Sequence, residues 1–220
     1  MTKALSSPAE DCLLLIHRAA ERGEPASTSG LARTLGVTDS TVTAMVQKLA
    51  RLGHLNYRAR KEISLSDSGQ AAALKLIRRH RLIETFLWVH LGYSLAELHG
   101  EAENLEHTVS DKFVESIASL LGHPKYDPHG DPIPDQDGQI EVRAARPLPE
   151  AAVGQTVRLS RITITKEEVL RYLESIGLFV GKRMELVDIA PHGGVVRIRI
   201  GKVEHALDLE TAQHLLIEDS

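Results

Sequence analysis

Residues 27–65, STSGLARTLGVTDSTVTAMVQKLARLGHLNYRARKEISL, read as two helices, a tight turn and a hairpin. Ser27 or Thr28 caps the first helix, which carries Leu31, Ala32 and Leu35 and stops at Gly36. Val37-Thr38-Asp39-Ser40 makes the turn. The second helix carries Val42, Met45, Val46, Leu49 and Leu52 at helical spacing and ends at Gly53. A short helix, a brief turn and a helix with a polar start form the helix-turn-helix pattern, although any helical hairpin in a bundle would look alike. The residues that follow separate the two. His54–Tyr57 and Glu62–Leu65 read as short strands around the basic turn Arg58-Ala59-Arg60-Lys61. A cationic hairpin after a helix-turn-helix is a wing, and a wing reaches backbone phosphates. The expected DNA-facing residues are Thr38, Asp39, Ser40, Thr41, Thr43, Gln47 and Lys48, with Arg58, Arg60 and Lys61. The start of the second helix has no Arg or Asn for bidentate base reading, so readout there is expected to be modest and partly through DNA shape.

Outward from this stretch, the first helix opens at Ser7-Pro8-Ala9-Glu10, with Ser7 as cap, Pro8 at the first helical position and Glu10 closing a capping box. Asp11 is not accounted for by that cap. Leu13, Leu14, Ile16 and Ala20 give the apolar side, and Gly23 ends the helix. Downstream, Ser66-Asp67-Ser68-Gly69 starts a long helix, about 68–91, of the kind that pairs across a dimer axis, so that a homodimer would meet two DNA half-sites.

Charge agrees with this division. Residues 1–65 hold nine Lys/Arg against six Asp/Glu, a net +3, and the rest of the chain carries −7, within an overall −4. A basic first part on an acidic body suits nucleic-acid binding by the first part. At 42% hydrophobic residues the 220-residue chain can build a sizeable core. A bilayer-length apolar run and a signal-peptide pattern are both lacking, and Cys12 is the single cysteine, which together point to a reducing, cytoplasmic setting.

The second informative stretch is His99-Gly100-Glu101-Ala102-Glu103-Asn104-Leu105-Glu106-His107. Gly92 closes the preceding helix, and Ser94 with Glu97 forms a capping box for the next. His99, Glu103, Glu106 and His107 then fall along one side, beside an apolar stripe of Leu95, Leu98, Ala102, Leu105 and Val109. Upstream, His80 and Glu84 stand four residues apart on the long helix, a spacing that lets both face one ion. Carboxylates four apart usually mean only a solvated helix face, and it is the two clusters together that point to metal. Eleven His with one Cys favour nitrogen and oxygen ligands.

A helix at about 110–121 follows. Residues 122–147 are rich in Pro, Gly and Asp, and within them 126–147 reads as a linker with little regular structure; His123, His129 and the Asp residues are expected to be solvated. From 148 the periodicity turns to two. Strands are expected at Thr156–Leu159, Met184–Val187 and Val195–Ile200, with Gly193-Gly194 as a turn, a helix over Lys166–Ser175 and a short one near Leu209–Leu215. The expected fold is α+β: a winged helix-turn-helix (1–66), a helical dimerisation and metal-binding domain (67–125), the linker, and a small SH3-like β-barrel (148–220).

This order, with Arg79-His80-Arg81-Leu82-Ile83-Glu84, the His99–His107 run, Ser110-Asp111 and Gly130-Asp131-Pro132-Ile133-Pro134, resembles the diphtheria-toxin-repressor family of metal-dependent transcriptional regulators across essentially the whole chain. The resemblance implies a primary metal site of Asp11, Glu103, Glu106 and His107. It implies an ancillary site of His80, Glu84 and His99, with a further ligand from the SH3-like domain at Glu167 or Glu168. Iron-selective members resemble Met on the first helix and Cys where Glu103 stands, and manganese-selective members resemble Asp and Glu. The pair here, Asp11 and Glu103, is hard and suits Mn(II), with Fe(II) or another divalent transition metal as the alternative. Short manganese regulators carry a further Glu where this chain has Leu14, so a closely spaced two-manganese cluster is not expected. The implied activity is repression of metal-transport genes by a metal-loaded homodimer on double-stranded operator DNA, not enzymatic catalysis. The rivals are a winged-helix regulator sensing an organic ligand, a metalloenzyme using a His/Glu site to activate water, and a metal-storage protein.

Overall fold

A computed structural model describes residues 5–57, 63–190 and 194–219. The chain divides into two compact units, one of residues up to Arg79 with Pro134–Gln139, the other of His80–Ile133 with residues from Ile140 on.

The first unit begins with α1 (Ser7–Glu21), α2 (Thr28–Leu35) and α3 (Asp39–Arg51), then the strands β1 (Leu55–Tyr57) and β2 (Ile63–Leu65). Ser27 caps α2 by accepting from Gly30 N–H, and Thr38 caps α3 by accepting from Thr41 N–H. Gly36 closes α2 with a φ of 65°, a conformation that costs glycine little. The hairpin pairs Leu55 with Leu65 and Tyr57 with Ile63. Cys12, Leu13, Ile16, Leu31, Val42, Val46, Leu49, Leu55 and Ile63 bury together as its core. Two helices and a hairpin on one core give the winged helix read from the sequence. The expected basic turn, Arg58–Lys61, lies outside the described residues, as does Gly193 of the later turn.

One expectation fails at α1. The cap is Ser6, whose carbonyl accepts from Ala9 and Glu10 N–H at 2.8 and 3.0 Å, so the helix starts one residue early and the Ser7/Glu10 capping box does not form.

Helix α4 (Asp67–Phe86) starts where Ser66 accepts from Gly69 N–H. Gly69 has no substitute there, because a Cβ would sit 2.0 Å from the His54 carbonyl oxygen. The helix ends in a π-turn over Leu87–Leu91, closed by Gly92. Chain division falls within α4, and His80 onward belongs to the second unit.

In the second unit, α5 (Leu95–Glu106) opens with Glu97 accepting from Ser94 N–H at 2.9 Å, and α6 (Asp111–Leu120) is capped by Ser110. The sheet comprises β3 (Arg146–Pro147), β4 (Thr156–Ile162), β5 (Arg183–Ile189), β6 (Val195–Ile200), β7 (Val203–Asp208) and β8 (Leu215–Asp219). It is antiparallel, in the order β3-β8-β4-β5-β6-β7. Helix α7 (Glu167–Ser175) follows β4, and the short α8 (Leu209–Gln213) follows β7. The inward residues of the strands share one core with Leu170 and Leu173 of α7, and with Ile83, Leu95, Leu98 and Ala102 from α4 and α5. Each such leucine or isoleucine side chain stabilises by roughly 2 kcal/mol relative to exposure. The part of α4 from His80 onward and α5, which bear His80, Glu84, His99, Glu103 and Glu106, are thus fixed on the sheet domain.

The expected solvated linker holds for His123, Asp135, Asp137 and residues 141–145, which are exposed, and is corrected by the structure for the segment 127–134. Its residues form no helix and only the two-residue β3, but Asp127 is 5% exposed and Ile133 lies in a core with Leu82, Val114 and Ile117. Asp127 Oδ1 accepts from His129 and Asp131 N–H, both at 2.9 Å. Asp135 repeats the arrangement on Asp137 and Gln139, at 2.9 and 2.8 Å. Arg78 donates to the Pro134 carbonyl at 2.9 Å, and Arg81 donates to the Pro132 carbonyl. Two arginines one helical turn apart on α4 thus hold this segment through two proline carbonyls.

Gly130 lies in the first of these loops with a φ of +86°, and a Cβ there would sit 2.2 Å from the Ser160 carbonyl oxygen of β4. Gly130→Ala should therefore destabilise the protein by about 2 kcal/mol or more in denaturant unfolding, from left-handed strain and the clash. A change within about 0.5 kcal/mol would contradict this packing.

Candidate metal centre

His80 projects from α4 and is 9% exposed. Its Nε2 lies 3.1 Å from Glu84 Oε1, one turn along the same helix, and 3.1 Å from His99 Nδ1 of α5. Glu84 Oε1 and His99 Nδ1 are 3.8 Å apart. Three donor atoms of three residues therefore bound one small space, and the structure brings together the predicted ancillary set. Glu167 and Glu168 belong to no donor cluster among the described residues; Glu167 pairs with Arg171 at 2.9 Å.

His80 Nδ1 faces the other way, 2.8 Å from Glu106 Oε2. Glu106 is buried at the end of α5, and its Oε1 lies 3.5 Å from Nε2 of His107, the residue that closes the helix. Of the predicted primary set, these two meet in the second unit. Glu103 is exposed and directs Oε1 to His99 Nε2 at 3.2 Å. Asp11 lies half-buried on α1, in the first unit.

A third donor group went unread in the sequence. Glu84, Asp127 and His129 offer ligand atoms within 4.8 Å of one another. His129 Nε2 lies 3.3 Å from the Leu95 carbonyl, and Arg81 Nε stands 3.6 Å from Asp127 Oδ2. The available signal was Asp127-Pro128-His129, an acid and an imidazole beside the Gly130–Pro134 motif.

The ionisable groups of the centre perturb one another strongly. Burial works to lower the pKa of His80, but hydrogen bonds to Glu106 and Glu84 outweigh it and raise the value to about 9. Burial also opposes ionisation of Glu84, and hydrogen bonds from His80 and His99 hold its carboxyl well below the usual range. Burial, then the charges of Asp131 and Glu84, push Asp127 well above the usual range. Apolar side chains would fill this interior at lower cost, so the cluster is weak evidence for stability. Imidazole nitrogens and carboxylate oxygens in these groups fit a divalent transition metal. The one soft ligand, Cys12, is fully buried in the winged-helix core, with its thiol pushed up to about 11 by burial and then by Asp11.

The hydroxyls expected to face DNA partly serve α3 itself. Thr38 Oγ1 lies 2.9 Å from Ser40 Oγ and 2.8 Å from Thr41 Oγ1, and Thr43 donates to the Asp39 carbonyl at 2.8 Å. Thr38–Thr41, Gln47 and Lys48 are nevertheless exposed.

A winged helix in one chain with a buried His/Glu centre and an SH3-like sheet defines a metal-dependent DNA-binding regulator. Comparison with known proteins gives the family. Residues 4–63 match the model for the iron dependent repressor N-terminal DNA binding domain, and 66–135 the iron dependent repressor metal binding and dimerisation domain. Residues 146–219 match the FeoA domain. A solved manganese-dependent transcriptional repressor in complex with manganese is 38% identical, covers 96% of this chain and 100% of its own, and superposes with a TM-score of 0.81. The manganese regulator SloR is 33% identical over 99% of this chain and 100% of its own, with a TM-score of 0.68. Iron-dependent repressor IdeR of Mycobacterium tuberculosis is 27% identical over 94% of each chain, and the diphtheria toxin repressor of Corynebacterium efficiens is 25% identical over 97% of this chain and 99% of its own. The chain belongs to the diphtheria-toxin-repressor family of metal-dependent transcriptional repressors.

His80 supplies a pH test. Its folded value of about 9 exceeds the ordinary 6.5, so its protonation stabilises the metal-free fold fully below about pH 6.5 and that contribution is lost as pH rises through about 9. With chelator present, the stability gap between wild type and His80→Gln should narrow between pH 6.5 and 9.5 in denaturant titrations. A gap that stayed constant or widened would contradict the ion-paired imidazole.

Proposed function

We propose that this protein is a manganese-responsive repressor that binds operator DNA as a cytoplasmic homodimer and controls metal-transport genes, with no catalytic activity of its own. The observation that carries the metal assignment is the donor chemistry. Every member of the three clusters offers imidazole nitrogen or carboxylate oxygen, and the single thiol is buried and protonated. The carboxylates in these sets are hard and suit Mn(II). The manganese-dependent repressors among its structural relatives, at 33–38% identity, support the same reading. The iron-dependent repressors among its sequence relatives favour a second one, in which Fe(II) is the working ion.

In this proposal Glu106 and His107 hold the primary ion together with Asp11, and Glu103 completes the set by turning from His99. His80, Glu84 and His99 hold the ancillary ion. Glu84 also faces Asp127 and His129, which makes that trio a third candidate. A bound divalent cation supplies the positive charge that the assembled carboxylates need. Asp11 sits on the helix that shares a core with α3, so holding Asp11 fixes the recognition helix. DNA and ion each raise the other's affinity only because both prefer that arrangement. On the DNA side, the exposed face of α3 and the cations Arg58, Arg60 and Lys61 make the contacts. The domain limits that follow are 1–66 for DNA, 67–125 for metal and dimerisation, and 148–220 for the SH3-like part.

Fluorescence anisotropy of chelator-stripped protein on DNA from upstream of metal-transporter genes tests this. Tight binding is expected with Mn(II), less with Fe(II), and none without metal. Asp11→Ala should keep the dimer and reduce metal-dependent affinity by about 100-fold or more, the scale of a lost ligand or ligand support. Equal response to both ions would reject the manganese assignment, and metal-independent binding would reject the mechanism.

A further inference from the structure

His80 touches both ends of the centre. One ring nitrogen, Nε2, belongs to the Glu84/His99 cluster, at 3.1 Å from each partner. The other, Nδ1, lies 2.8 Å from Glu106 Oε2. The two oxygens of Glu106 are thereby divided, with Oε2 toward His80 and Oε1 toward His107 Nε2 at 3.5 Å. His80 and Glu106 stand on different helices, 26 residues apart, and both are buried. Their helices share one core through Ile83, Leu98 and Ala102, so the ring has little freedom to turn away.

An imidazole is rigid, and a ligand on one nitrogen decides what the other can do. An ion on Nε2 leaves the proton on Nδ1, where it donates to Oε2 and leaves Oε1 for the neighbouring site. A glutamate side chain held in this way has already lost the rotamer freedom that coordination would otherwise cost.

We propose that His80 is a positioning residue for the primary metal site: besides its place in the ancillary cluster, it orients the Glu106 carboxylate toward the ion held with His107. This rests on the reading above that Glu106 and His107 bind a divalent ion.

The two nitrogens can be separated by substitution. Asparagine places its amide nitrogen where Nδ1 was and has nothing in place of Nε2. Glutamine places its amide near the Nε2 position. Mn(II) binding to the full chain, read from the electron paramagnetic resonance signal of free Mn(II), gives the affinity of the site that remains. In His80→Ala and His80→Gln, Mn(II) affinity at the primary site should fall by about 10- to 100-fold, the usual effect of removing a residue that supports a ligand. His80→Asn should lose the ancillary ion and yet restore the primary site to within a few-fold of wild type. Rescue by Asn but not by Gln is an outcome that a merely structural role for the ring would not produce. A primary site unaffected in His80→Ala, or equally weak in His80→Asn and His80→Ala, would overturn the positioning role while leaving the metal reading in place. Wild-type protein that binds no Mn(II) would overturn the metal reading and this inference with it.

Discussion

Everything in the second unit is arranged around one costly fact: ionisable groups are held away from water on α4 and α5. Glu84 and Glu106 are each about 3% exposed, and the imidazole of His80 lies between them. A lone buried carboxylate would take a proton or disrupt the fold. Here each has a hydrogen-bonded partner, and the partner is shared. In the metal-free protein the protonated His80 provides the compensating charge, so the site has the electrostatic character it needs before any ion arrives. In the proposed metal site a divalent ion would exchange with that proton, and the response would be a competition between the two.

The surrounding architecture fixes that geometry. The sheet and α7 share a core with α4 and α5, which sets the helix spacing across which His80 meets His99 and Glu106. Arg81 holds the Asp127–Pro132 segment down on α4, bringing Asp127 and His129 to Glu84. Glu84 thus faces two donor groups at once. In the first unit the same economy recurs at α3, where Thr38 caps the helix, Thr43 donates to the Asp39 carbonyl, and both lie near the start proposed to face DNA. The family to which the chain belongs joins these two capacities, DNA binding and metal dependence.

Much of this was legible in the sequence because the signals were local. The cap at Ser27, the Ser94/Glu97 capping box, the wing strands and the i, i+4 pair of His80 and Glu84 depend on neighbours a few residues away, and the structure has them. Glu103 was ambiguous in principle: it stands four residues from both His99 and His107, and spacing could not choose between them. The α1 cap moved from Ser7 to Ser6 because adjacent serines are equivalent to a pattern. Asp127 and His129 were read as solvated because Pro, Gly and Asp dominate their surroundings. What buries them comes from far along the chain: the arginines of α4, the Ser160 backbone at Gly130 and the apolar pocket that takes Ile133. Strands β7 and β8 were missed because short alternating runs such as Val203–Asp208 acquire their meaning only from the partner strand.

The central claim is that one ion is held jointly by Asp11 and by Glu106 with His107. A crystal structure of the full chain grown with Mn(II), with anomalous diffraction measured on both sides of the manganese absorption edge, tests it most directly. The account predicts a manganese peak within about 2.3 Å of an Asp11 carboxylate oxygen, a Glu106 oxygen and a His107 nitrogen, the range of transition-metal ligand distances. A manganese peak bound by Glu106 and His107 with Asp11 turned away to solvent would contradict it.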